Sequence, residues 1–510
     1  MGGYIIAHDL GTSGDKGILL SVDGKIAAEA TVSYEPDVPA VGWMQQNPEV
    51  WWNAFCRCNR RLLEGISGKE VEGVTVTGQM MCCLAMGRDG TVLYPAILWG
   101  DGRAAEEAMT LEERVGGERF YETVGMRASP NYSLPKMMWL KGHEAKVYER
   151  TWKFLNPKDY LDYKMTGRMA TDTESAAYMH GTDWRTGKWS KFLITASELD
   201  EDKLPEILAP GELIGEVTQG AARECGLPAG TAVVMNMGDG GTATLGTATI
   251  EPGEAYISMG SSSWVSVVTG SGAMDRDRSI SKLSYLDTVR DSGTMQTGGY
   301  AYSWLRDTLC QEECREAKEK GISAYVGINE TAGRASCGSG GVLFQPYLMG
   351  ERSPFWDMKL RGAFLGLTSR TGKPEICRSV LEGVALHLNL ILQRICRVNG
   401  IEKTELMKLV GGGAKSPLWR TIFADILGAP VAVLEYTEHA GGLGAAVLAG
   451  VRLGSFSSVS VIKELQKVTD VTEPDWERHS YYCELGEIYS EAQRALETIN
   501  HRICDLEMRR

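Results

Sequence analysis

Five short segments combine carboxylates, hydroxyls and glycines in ways that suit group transfer between oxygens. Gly238-Asp239-Gly240-Gly241 follows an apolar run, Thr231 to Met237. An aspartate at a strand end, freed by glycines, suits a general base that takes a proton from a hydroxyl; the same residues also fit an ordinary Asp-Gly turn. Asp9-x-Gly11-Thr12-Ser13 ends another apolar run. There glycine admits backbone amides to a phosphate, hydroxyls add donors, and a carboxylate can hold a magnesium ion through water. Met259-Gly260-Ser261-Ser262 is a second bend of this kind. Each bend alone also reads as a plain hairpin turn, whereas the pair suits the clamping of a triphosphate. Gly411-Gly412-Gly413-Ala414-Lys415-Ser416 leads from a strand into a helix, where a flat base or a phosphate can lie on bare backbone. Trp99-Gly100-Asp101-Gly102-Arg103 offers planar donors and acceptors to vicinal hydroxyls and an indole to their apolar faces. A surface ion pair beside a half-buried tryptophan fits that spacing equally, and Lys16 reads as a phosphate contact or a solvated side chain.

These segments need strands and helices to carry them. Tyr4 to Ala7 and Ile18 to Val22 flank the first bend, Asp23-Gly24 signals a hairpin, and Ile26 to Tyr34 reads as a third strand. Asn47-Pro48-Glu49 starts a helix in which Trp51, Phe55, Cys58 and Leu62 recur at helical spacing. Val71 to Val76 is a buried strand. Ala255 to Ser258 and Trp264 to Val268 repeat the opening hairpin around the second bend. Two such hairpins, one opening each half, suggest two related α/β domains across a cleft, with the boundary near residues 245–254. Later come a helix from Pro374 to Cys396, a strand from Leu406 to Val410 and a helix from Ser416 to Leu427. Gly441-Gly442-Leu443-Gly444 opens an Ala-rich helix, Ala445 to Gly450, and a charged surface helix follows from about Thr472.

With 510 residues, 43% of them hydrophobic, the chain can bury full-sized cores. A net charge of −13 argues against binding DNA or anionic lipid. The 12 cysteines show no zinc spacing and no Cys-x-x-Cys, so they read as buried free thiols in a reducing cytoplasm. No targeting segment or membrane-length apolar run is visible. The P-loop and dinucleotide fingerprints are absent.

Taken in order, the motifs resemble the FGGY family of carbohydrate kinases, and within it the xylulokinases. Asp9-x-Gly11-Thr12-Ser13-x-x-Lys16 resembles the family's opening. Gly78-Gln79-Met80, Ile97 to Arg103, Pro135-Lys136-Met137-Met138-Trp139-Leu140 and Pro157-Lys158-Asp159-Tyr160-Leu161 follow collinearly. So do Gly350-Glu351-Arg352-Ser353-Pro354, Gly362 to Thr368 and Gly411 to Gly428. The resemblance implies an α/β fold of two actin-like, ribonuclease-H-like domains flanking a central cleft. Residues 1–248 would bind sugar and 249–510 nucleotide. It implies ATP, Mg2+ and phosphoryl transfer to a small sugar or polyol, with D-xylulose first and ribulose, erythritol, gluconate and glycerol open. Asp239 matches the catalytic base and a sugar contact, and Asp9 the carboxylate near the metal. Thr12, Ser13, Gly260 and Ser261 match the phosphate loops. Gly412, Gly413 and Ser416 match the adenosine-side loop, and Met80, Asp101 and Arg103 the sugar pocket. Two positions depart: Met81 stands where xylulokinases usually carry His, and Gly240 where they carry Asn. The sole partner implied is a small-molecule substrate, with no nucleic acid or membrane; a homodimer is left open. A sugar-sensing regulator would want a DNA-binding extension, and an ATPase switch would not need Trp99, Asp101 and Arg103 beside a second pocket.

Overall fold

A computed structural model describes residues 3–507. It divides into two compact units. The first comprises Met1–Ile250, Lys282–Val289 and His439–Lys467, and the second Glu251–Ser281, Arg290–Glu438 and Val468–Arg510. The expected single cut at 248/249 thus becomes several crossings, with residues 439–467 grouped in the first unit.

The first unit is built on a six-stranded sheet in the order Leu213–Glu216, Ala232–Val234, Val71–Gly78, Tyr4–Leu10, Gly14–Ser21, Ile26–Ser33. Its three middle strands, Ala232–Val234, Val71–Gly78 and Tyr4–Leu10, run parallel, and the others pair antiparallel at either side. Tyr4–Leu10 reads as a nearly continuous apolar run because both its faces are covered. The Glu49–Leu62 helix buries Trp51, Phe55, Cys58 and Leu62, the stripe its spacing predicts, and Trp52 beside them.

The second unit repeats this plan. Val468–Thr472, Val431–Leu434, Met407–Gly411, Ala255–Met259, Ser263–Val268 and Thr288–Met295 follow one another with the same sequence of parallel and antiparallel pairings. The weak sequence repeat of the two hairpins is therefore a repeat of topology. The 27-residue helix Lys373–Asn399 lines this unit's core with Cys377, Leu381, Val384, Leu388 and Ile391. Among the described residues no helix is long and apolar enough to cross a membrane.

Two local expectations change. The glycine cluster at 441–444 lies inside a helix, Ala440–Leu453, and does not precede it. A Cβ on Gly444 would sit 2.0 Å from the Thr242 carbonyl oxygen, and one on Gly246 would sit 1.7 Å from that of Ala440. Only glycine permits this approach between the Ala440–Leu453 and Asp239–Gly246 helices, which is why residues so distant in sequence join the first unit. The run from Thr231 to Met237 is strand only over Ala232–Val234.

A charged pair is buried under the first sheet. His8 Nδ1 lies 2.9 Å from Asp15 Oδ2, and His8 Nε2 lies 3.1 Å from Asn59 Oδ1. A protonated imidazole donates to both acceptors; a neutral one must abandon one of them. Burial opposes the charge, but Asp15 overrides it and lifts the His8 pKa from 6.5 to about 10. A raised pKa makes the pair's stabilisation complete below pH 6.5 and lost as pH climbs through about 10. The stability advantage of the wild type over a His8→Gln variant, measured by urea unfolding, is expected to shrink across that window; an advantage constant from pH 6 to 10 would refute the charged pair.

Candidate active site

The Gly11-to-Gly14 bend closes through a hydrogen bond from Gly11 N to Gly14 O at 2.9 Å, and the Tyr34 hydroxyl donates to Gly11 O at 2.7 Å. Thr12 is braced from two sides: its Oγ1 donates to Gln79 Oε1 (3.3 Å) and accepts from Trp99 Nε1 (2.8 Å). Ser13 is exposed. Asp9 lies across the hairpin from Lys16. Its carboxylate sits against the first turn of the Ala440–Leu453 helix, where a Cβ on Gly441 would meet Asp9 Oδ2 at 2.6 Å. Burial lifts the Asp9 carboxyl above its ordinary range, with Lys16 pulling it back. A carboxylate short of solvation beside bare glycine backbone fits a hydrated divalent cation.

Asp239 is not at a strand end. It opens the Asp239–Gly246 helix, with Gly238 as the preceding cap. The strand stops early because Asn236 turns inward, its Nδ2 donating to Thr75 Oγ1 and to Ala445 O, each at 2.9 Å. The helix is then pinned from beneath. Thr242 Oγ1 lies 2.8 Å from Thr77 Oγ1, and Gly241 N donates to Glu174 Oε2 at 3.1 Å. Glu174 follows Asp172, which caps the Thr173–Tyr178 helix and pairs with buried Lys158 at 2.9 Å. Met80 packs on the cap itself, its Sδ 2.0 Å from where a Cβ on Gly238 would be. Thr12, Gln79, Met80 and Asp239 are thus brought together within the first unit.

The Asp101–Arg103 pair is buried and is not a surface pair, with side-chain exposures of 0% and 1%. Asp101 Oδ1 accepts from Arg103 N and Nε, and Oδ2 from Arg103 Nη2 and Met44 N. The guanidinium carbon stands 3.7 Å from the Trp43 ring centre. Both carboxylate oxygens are therefore engaged within the protein.

Sequence reasoning gave no role to Lys136. Its side chain is fully buried, and its Nζ donates to Met81 O (2.8 Å), Leu98 O (2.7 Å) and Asn131 O. Three carbonyls match the three N–H groups of an ammonium. Burial draws the Lys136 pKa down to about 8, with Cys82 and Asp101 among the groups opposing it. The bond to Met81 O holds that residue at φ 63°, in the left-handed region. Asn131 Nδ2 in turn donates to Trp99 O at 2.8 Å. One ammonium therefore ties together the 81, 98 and 131 segments. The available signal was a lone lysine between Leu134-Pro135 and Met137-Met138.

In the second unit, Gly260, Ser261, Gly412, Gly413 and Ser416 all line one cavity of about 500 Å3. Gly299 N and Tyr300 N donate to Gly260 O (2.9 Å) and Ser261 O (3.0 Å), seating the bend on the start of the Gly298–Leu309 helix. Ser416 caps the Pro417–Leu427 helix by accepting from Trp419 N, and it donates to Asn329 Oδ1 at 2.9 Å. A Cβ on Gly412 would meet no protein atom within 4 Å. Tyr302, Tyr325 and Asn329 complete the wall; their spacing carries no motif, and only the folded helices gather them.

The models of the N- and C-terminal domains of the FGGY family of carbohydrate kinases match residues 4–246 and 255–453. The chain is 31% identical to a xylulose kinase of Klebsiella pneumoniae over 491 residues, 95% of this chain and 97% of that one. A solved ligand-bound xylulose kinase of Lactobacillus acidophilus superposes with a TM-score of 0.91 at 26% identity, covering 98% and 100% of the two chains. A gluconate kinase of the same organism gives 0.90 at 26% identity, covering 97% and 98%. The chain belongs to the FGGY family: it is a carbohydrate kinase with the two-domain, actin-like fold.

Lys136→Met should lower stability by roughly 3 kcal/mol or more, since three buried carbonyls lose their donors. A loss below about 1 kcal/mol in urea unfolding would mean that the carbonyls find other partners.

Proposed function

We propose that this carbohydrate kinase transfers the γ-phosphoryl group of ATP to a hydroxyl of a small sugar or polyol, with D-xylulose, giving D-xylulose 5-phosphate, as the first acceptor to test. The cavity of about 500 Å3 walled by Gly260, Gly299, Gly412 and Gly413 carries the reading. Its size falls in the range of small-molecule sites, and bare backbone admits a flat base or phosphates. The second unit would supply the nucleotide side, with Gly260 and Ser261 toward phosphate and Gly412, Gly413 and Ser416 toward adenosine. Met80, Met81, Asp101 and Arg103 belong to the sugar side, Asp101 and Arg103 by holding its wall. Thr12 and Ser13 face the phosphates.

Phosphoryl transfer asks a protein mainly for position and charge stabilisation. Asp239, at the start of its helix, accepts the proton of the attacking hydroxyl as the new O–P bond forms and the bond to ADP breaks. Asp9 would hold a magnesium ion, which when bound offsets phosphate charge. The free cysteines, most of them buried, suit a reducing cytoplasm.

Asp239→Asn should leave nucleotide binding nearly intact and cut turnover by about a hundredfold or more; near-normal turnover would reduce Asp239 to a helix-start residue. Gly412 lines the cavity and a Cβ there would meet no protein atom within 4 Å, so there is room at the wall for the variant Gly412→Val. It should weaken ATP binding by calorimetry while leaving the melting temperature and sugar affinity unchanged, and normal ATP affinity would remove this loop from the nucleotide site.

The likeness to gluconate kinase keeps gluconate in the substrate panel beside ribulose, erythritol and glycerol. Met81 and Gly240 withhold the polar groups that a xylulokinase offers, and an unpaired sugar hydroxyl costs about 1–3 kcal/mol. D-xylulose should therefore be a modest substrate in an ATP-consumption screen, behind another small ketose, polyol or sugar acid. Histidine visits the left-handed region more readily than methionine, so Met81→His suits the φ of 63°. Combined with Gly240→Asn, it should raise kcat/KM for D-xylulose relative to the preferred substrate. An unmodified enzyme that ranks D-xylulose first would mean that these two positions do not set specificity.

A further inference from the structure

The Trp476–Glu507 helix lies beyond the residues matched by either family model. Glu497 and His501 stand one turn apart on it, so their side chains share a face. A loop of the same unit docks there through three contacts. Asp357 Oδ2 lies 2.6 Å from His501 Nε2, Lys359 Nζ donates to Asp505 Oδ1 at 2.8 Å, and Arg361 Nη2 donates to Cys504 Sγ at 2.9 Å. Asp357 is oriented for this by its own turn. Its N and O pair with Glu351 O (2.8 Å) and N (2.9 Å), and its Oδ1 accepts from Lys359 N at 2.9 Å. One carboxylate oxygen holds the turn, and the other is left for the helix.

Ligand atoms from Asp357, Glu497 and His501 all lie within 4.8 Å of one another. The His501–Asp357 hydrogen bond accounts for two of the three. It does not account for Glu497, whose carboxylate forms no hydrogen bond or ion pair among the described residues. Two carboxylates around one imidazole leave a net negative charge whether or not the ring is protonated. The two cations that dock beside them do not offset it. Lys359 is engaged with Asp505, and Arg361 with Cys504 and the carbonyls of Met358 and Leu360. Ligand atoms about 2.1 Å from one ion sit roughly 3.4 Å apart, a spacing that rotation of the exposed Glu497 side chain can supply. One imidazole nitrogen and two carboxylate oxygens suit a borderline divalent cation of the zinc class, with water completing its shell, whereas Mg2+ prefers oxygen alone.

We propose that Asp357, Glu497 and His501 bind one divalent transition-metal cation, Zn2+ first, which fastens the 357–361 segment to the last helix. The proton between His501 Nε2 and Asp357 is released as the ion takes its place. The site lies within the second unit and uses no residue assigned to nucleotide, sugar or magnesium.

The exposed Cys483 lies 3.5 Å from His479 Nε2 on the same helix and would compete for Zn2+, so the full chain is tested untagged and carrying Cys483→Ser. Calorimetry with Zn2+, in a large excess of Mg2+, should show one ion bound per chain and a proton released to the buffer. Zn2+ should also raise the melting temperature. Glu497→Gln and His501→Gln should each weaken binding by about tenfold or more, since losing even the outer-shell support of a ligand costs that much. Each should also abolish the rise in melting temperature. Glu497 is exposed, so its variant should keep the circular dichroism and the metal-free melting temperature of its parent. A chain that binds no Zn2+, or an affinity that either variant leaves intact, overturns the proposal.

Discussion

The first unit depends on one close contact between two helices. The Ala440–Leu453 helix meets the Asp239–Gly246 helix with backbone against backbone, Gly444 on the Thr242 carbonyl and Gly246 on the Ala440 carbonyl. A methyl group at either place would have to occupy a carbonyl oxygen. The same helix brings Gly441 against the Asp9 carboxylate. One glycine-bearing helix thus sets both the depth at which the Asp239 helix lies and the wall behind Asp9. Interiors close-packed in this way do not yield smoothly, so an added side chain would displace the start of one helix from the end of one strand. The second unit uses the device in another place: Gly299 lies on the Gly260 carbonyl, where a Cβ would be 2.4 Å from the oxygen, which fixes the bend that opens its cavity.

Buried charge does the second part of the positioning. Lys136 gathers three carbonyls from three segments, and Lys158 bridges Asp159 and Asp172, each at 2.9 Å. Asp172 caps the helix whose Glu174 receives Gly241 N. Each such group is expensive to desolvate and is stable only when fully partnered. Lys136 thereby anchors Met81 in the left-handed region, in a segment without regular secondary structure of its own.

How much of this was legible in the sequence follows from what each feature rests on. The paired hairpins, the Glu49–Leu62 helix and the long helix near 373–399 rest on hydrophobic period and turn residues, which are local, and they were legible. Gly260, Ser261, Gly412, Gly413 and Ser416, five of the residues that line the second unit's cavity, were legible because glycine and hydroxyl runs are compact motifs. The helical setting of Asp239 was not, because the inward turn of Asn236 depends on Thr75 and Ala445, 161 and 209 positions away. Nor was the membership of residues 439–467 in the first unit, since a glycine inside a helix reads as a breaker until its neighbour is known. Lys136 looked like any lysine in an apolar helix; only the folded chain shows three carbonyls around it.

The same distinction explains why the chemistry of the site is firmer than its substrate. On the function proposed above, the features that would hold phosphate, base and proton acceptor are written in backbone: glycines that cannot be replaced, caps, and carbonyls tied to buried ammonium groups. Many contacts over-determine each of them, so the family resemblance transfers with them. On that same reading, sugar recognition would rest instead on the ends of a few side chains set upon that frame. Lys136 holds the carbonyl of Met81, not its side chain, and Gly240 sits in the first turn of the Asp239–Gly246 helix. Such positions can change the hydroxyl pattern they accept while the frame beneath them stays as it is. A hydroxyl left without its partner is enough to move preference by one or two orders of magnitude. The chain is a carbohydrate kinase by its family, and on the function proposed above residues 81 and 240 are where its choice of carbohydrate is open to change.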